Sequence, residues 1–118
     1  MKSKPIIAIT ISGILAALVW AFSKHFTGHA EPWDGSFSYY LGGLFLAGFL
    51  SALVTPLPVW GHYLGAVTGQ VAYMILSGGG AFILLGIGFA SLWSIAALFG
   101  AALALVVRFV LMRNENAA

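Results

Sequence analysis

The chain has 118 residues, 61% of them hydrophobic and only 7% charged, against roughly 25% charged in an ordinary soluble domain. Five basic and three acidic side chains cannot cover a water-soluble fold of this size, whereas lipid can be the solvent for most of an integral membrane protein. A formal charge of +2 is too small to suggest nucleic acid, and the lack of cysteine rules out disulfides, thiolate metal sites and a cysteine nucleophile.

In chain order, the first apolar run covers residues 5–22, behind Met1-Lys2-Ser3-Lys4. A short basic stretch before an apolar run also opens a secretory signal, and Gly28-His29-Ala30 offers small residues for a peptidase. The run is long for a signal, however, and Lys24 sits awkwardly before that site, so it reads as a retained anchor. The segment Ser23–Ser36 is the only substantial polar stretch and is expected to be a loop. Tyr39 and Tyr40 stand at the mouth of the second span, residues 37–54, with Trp33 expected at the headgroup level. Thr55-Pro56-Leu57-Pro58 then forces a turn, because proline lacks the helix donor and biases the residue before it away from helix.

The third span, residues 59–77, carries Gly61, Gly65 and Gly69 at four-residue spacing, followed by Gln70. On a helix these glycines stack into one smooth groove that lets a second helix approach backbone to backbone. Gln70 needs a hydrogen-bonding partner in lipid; Thr10, Ser12, Thr68, Ser91 and Ser94 can offer one, with Ser91 and Ser94 sharing a face of the fourth span. Gly78-Gly79-Gly80 is expected to be a tight connection between antiparallel neighbours. The fourth run, residues 81–111, exceeds the roughly 20 residues that cross a bilayer. It is expected to tilt or protrude, with Arg108 snorkelling toward water and a short polar tail after it.

Lys2, Lys4, Arg108 and Arg113 fall on one face and Lys24 alone on the other, which places both termini in the cytoplasm. The expected fold is an all-α membrane protein of one domain, residues 1–118. It is a four-transmembrane-helix antiparallel bundle, multi-pass in a bacterial inner (plasma) membrane.

For chemistry, His25 and His29 are four apart, and Glu31 and Asp34 could complete a divalent-metal site. Thr27-Gly28 makes a poor helix interior and His62 is expected across the membrane, so no metal is assigned. Glu31-Pro32-Trp33-Asp34-Gly35 is expected instead to stiffen the loop, with Asp34 or Ser36 capping the second span. His25, His29, Glu31, Trp33 and Asp34 remain candidates for contact with a partner or substrate outside the membrane. No Asp, Glu, Lys or His is expected well inside a span, which argues against proton-coupled transport. With no nucleophile in view, neither an enzyme nor a cofactor is expected. The expected function is an accessory or scaffold subunit, with the bilayer and other membrane proteins, or copies of itself, as partners. The alternative is an oligomeric transporter or channel for a small neutral solute, with Gln70 lining its route.

Overall fold

The computed structural model describes residues 2–78 and 83–117, and their regular structure is helical throughout. Helix α1 (Pro5–Ala21) starts on a proline, whose missing donor costs nothing in a first turn. The expected loop after it contains two short helices, α2 (Ser23–Thr27) and α3 (Pro32–Gly35). Gly28 ends α2 in the left-handed region, at φ 79°, a conformation that costs glycine nothing. Helix α4 (Phe37–Val54) is capped by Ser36, whose Oγ accepts the Tyr39 N–H at 3.2 Å; Asp34 plays no part in that cap. Helix α5 (Val59–Leu76) follows the proline turn.

The fourth apolar run differs most from its expected form. It holds α6 (Ile83–Trp93) and α7 (Ile95–Ala117), joined by one tightened turn at Ser94. There the Ala97 N–H reaches the Ser94 carbonyl at 2.9 Å, three residues back rather than four. The polar tail continues the helix to Ala117 instead of ending it. The Gly78-Gly79-Gly80 connection lies largely outside the described residues.

The closest packing pairs helices that are not consecutive. Helix α1 lies against α5, with Gly61 facing Ala8, Gly65 facing Ile9 and Ser12, and Gly69 facing Gly13. These contacts advance in the same direction along both helices, so the pair is parallel. The chain between Ser3 and Leu57 continues the pairing in a parallel bridge, with the Lys4 N–H donating to the Leu57 carbonyl at 2.9 Å. Helix α4 lies against α7 in the same sense: Gly48 meets Ala97, Ala52 clusters with Ala101 and Ala104, and the Leu53 carbonyl meets Arg108, while Gly100 sits against Phe45 and Phe49 where the two helices cross. A methyl group on Gly65, Gly69, Gly48 or Gly100 would overlap the neighbouring backbone, so each pair meets with nothing between its main chains. Consecutive helices run antiparallel around these couples, with Tyr39 bonded to the Val19 carbonyl and Gly86 against Met74.

The interior is made of small and polar residues. Ala8, Ala16, Ala47, Ala52, Ala66, Ala90, Ala97, Ala101 and Ala104 are buried, while Ile6, Leu76 and Leu84 are 79, 88 and 81% exposed. This distribution reverses the usual arrangement of a soluble core and is compatible with a lipid surround. Among the described residues, two helices are long and apolar enough to cross a membrane, Phe37–Val54 and the combined Ile83–Glu115; the pair Pro5–Ala21 and Ser23–Gly35, bent by 41°, makes a third if taken as one segment. Helix α5 is as long as α4, but His62, Gln70 and its glycines lower its apolarity. It is also the helix that touches α1, α4, α6 and α7 alike.

Candidate functional site

The polar groups gather at three places along the bundle. In the middle, Gln70 is fully buried, and its amide bonds to α1, α4, its own helix α5 and the turn at Ser94. Its Oε1 accepts the indole N–H of Trp20 at 2.9 Å and the hydroxyl of Tyr40. Its Nε2 donates to the Ala66 carbonyl at 3.0 Å and to Ser94 Oγ at 2.7 Å. Two acceptor positions and two donor hydrogens are thus all used. Trp20 comes from α1, Tyr40 from α4 and Ser94 from the turn between α6 and α7, so one side chain joins four segments. Ser94 is among the partners expected for Gln70, whereas Ser91 turns back to the Ile87 carbonyl of its own helix. Trp20 and Tyr40 carry no spacing signal in the sequence; large aromatics near span ends read more readily as interface residues.

A second centre lies near the Thr55–Pro58 turn. His62 lies one turn into α5, near the end of the span as its place in the sequence implies, and is fully buried there. Its Nε2 lies 3.3 Å from the Pro56 carbonyl and its Nδ1 lies 2.7 Å from Ser51 Oγ. A carbonyl only accepts, so Nε2 carries the proton and Ser51 donates to Nδ1. Ser12 Oγ donates to the His62 carbonyl at 2.5 Å. A serine beside a histidine has the form of a nucleophile with its base. Here both side chains have zero exposure, and with Ser12 they tie α1, α4 and α5 together.

The third place is the opposite end. Residues from α1, α2, α3, α4, α5 and α6 line a partly open cavity of about 850 Å³, walled by Trp20, Trp33, Phe37, Tyr73, Phe89 and Trp93. Trp33 is half-buried. It folds inward, with its ring centroid 4.7 Å from Trp20, 5.6 Å from Phe89 and 6.0 Å from Tyr40. Its indole N–H donates to Glu31 Oε2 at 2.9 Å. Glu31, Asp34 and Lys24 stand on the rim. Of the five candidate loop residues, Glu31, Trp33 and Asp34 are therefore brought together. His25 and His29 are not: the His25 ring packs edge-on against Phe26, and the His29 carbonyl accepts from Ser23 Oγ at 2.7 Å. Among the described residues, no group of three His, Asp or Glu comes within reach of one metal ion.

Arg108 is half-buried and lies at the end that also carries Lys2 and Lys4. It reaches sideways, its Nη1 donating to the Leu53 carbonyl at 2.6 Å. Set beside known protein families, curated proteins and solved structures, the chain finds no match in any of the three.

Proposed function

We propose that the chain is a four-span membrane protein with both termini in the cytoplasm, acting as a non-enzymatic accessory subunit. In this reading α1 with its bent extension, α4, α5 and the α6–α7 pair each cross the membrane, and the glycine stripes are membrane helix-packing faces. The aromatic cavity then opens on the outer side. The supporting observation is the saturation of Gln70. With its four hydrogen-bonding positions taken inside the chain, the middle of the bundle offers no polar route to a solute. Binding is left to the cavity, where aromatic faces below two carboxylates and one lysine suit a partner segment with an apolar body and a positive group.

A photocrosslinking amino acid at Leu85, on the cavity wall, tests this in intact membranes. The expected product is one membrane polypeptide joined in fixed ratio, lost when Glu31→Gln and Asp34→Asn are combined. Crosslinks only to copies of the chain, or none, would overturn the accessory reading. One observation favours the transporter alternative: Trp20 lines the cavity and also donates to Gln70, so it links the outer opening to the middle of the bundle. Solute flux abolished by Gln70→Leu with assembly intact would select that alternative.

A further inference from the structure

At the end opposite the aromatic cavity, a recess of about 300 Å³ is lined by Lys2, Lys4, Val54, Thr55, Pro56 and Arg108. It brings together three of the chain's five basic side chains, and none of its three acidic ones is on the wall. Glu31 and Asp34 belong to the other end, and Glu115 is exposed two turns beyond Arg108 on α7. The recess is built rather than incidental. The Lys4 N–H is fixed to the Leu57 carbonyl at 2.9 Å, and the Arg108 guanidinium is held by the Leu53 carbonyl through one nitrogen only. Arg108 Nε is buried and has no hydrogen-bond partner.

Three cationic side chains on one wall, with no carboxylate among the lining residues, leave the positive charge of the recess uncompensated. The planar fork of arginine supplies directed donors to phosphate oxygens, while lysines add mobile positive charge. Basic recesses at the ends of membrane helices suit phosphorylated head groups in the same way. We propose that this recess binds a phosphate-bearing anion, with the open edge of the Arg108 guanidinium facing its oxygens and Lys2 and Lys4 supplying charge from the same wall. The proposal is independent of what occupies the aromatic cavity.

Native mass spectrometry of the full chain in neutral detergent tests it, titrating phosphatidylglycerol, phosphatidylcholine and inorganic phosphate in separate arms. The expected result is a saturable single adduct with phosphatidylglycerol, inorganic phosphate or both, and a much weaker one with phosphatidylcholine. An adduct that millimolar phosphate does not displace identifies the lipid head group as the source. Competition by phosphate identifies the free ion. Removing one cation should weaken binding about fivefold, and Arg108→Gln should do more, since it also removes the fork. Lys4→Gln keeps its backbone bond to Leu57, so it remains informative even if Arg108→Gln fails to fold. Equal adducts with both lipids and none with phosphate would overturn the site. So would affinity unchanged in the folded Lys2→Gln, Lys4→Gln double variant.

Discussion

The middle of the bundle and its cavity end are built from the same residue types and arrive at opposite states. Around Gln70, an indole, a phenol, an amide and a hydroxyl satisfy one another completely. At the cavity end, which Trp20 and Tyr73 themselves line, similar aromatic rings surround open space of about 850 Å³. The difference lies in the backbone. Where glycines bring α1 onto α5 and α4 onto α7, the side chains have room only for each other. Where the helices end and α2 and α3 bend away, the rings splay and leave a volume between them. Closed polar contacts specify the packing, while the open aromatic end is free to bind.

The largest expected effect comes from breaking the close approach itself. Gly69→Leu would drive a side chain into the Gly13 backbone, and overpacking of this kind should cost about 3 kcal/mol or more. Reversible unfolding in detergent should show loss of the folded state. Next is Gln70→Leu, which strands the Trp20 indole, the Tyr40 hydroxyl and the Ser94 hydroxyl together. A cost of about 2 kcal/mol is expected, at the upper end for hydrogen bonds between membrane helices. Tyr40→Phe should cost less, about 1 kcal/mol, because Gln70 keeps its other three partners.

Ser51→Ala removes the donor to His62 Nδ1 and should also cost about 1 kcal/mol, with no further loss when combined with His62→Ala. A double-mutant cycle on those two positions checks the coupling. The smallest stability effect should come from Phe89→Ala. Phe89 is 39% exposed and walls the cavity, so unfolding should shift by about 1 kcal/mol or less. Ligand or partner capture in the cavity should fall about tenfold, by the loss of one aromatic face. A Phe89→Ala protein as destabilised as Gln70→Leu would erase the contrast between the two regions.

Much of the helical frame is legible in the sequence, because apolar runs separated by Pro56-Leu57-Pro58 and by Ser23–Ser36 fix where helices start and stop. The glycine spacing in α5 is legible too, since a period near four marks one helix face. What covers that face is not legible, because the partner helix is α1, more than forty residues earlier and separated by α4. The same long-range pairing hides Trp20 and Tyr40 from any local reading of Gln70. His62 is hidden for a different reason: beside a proline turn it reads as a helix-end residue, and only the approach of Ser51 from α4 makes it buried. At the cavity, Glu31, Trp33 and Asp34 stand out by composition. The inward fold of Trp33 depends on rings from α1 and α6 that no local pattern reveals.

The proposed four-span reading depends on which end of the molecule faces outward and on how many of the helices cross a membrane. The chain has no cysteine, so single-cysteine variants at Ser3, His29, Leu57, Ser77 and Asn114 can be labelled with an impermeant maleimide. His29→Cys and Ser77→Cys should react in intact cells, while Ser3→Cys, Leu57→Cys and Asn114→Cys should react only after lysis. Labelling of either terminal position in intact cells, or protection of His29→Cys until lysis, would contradict the four-span arrangement.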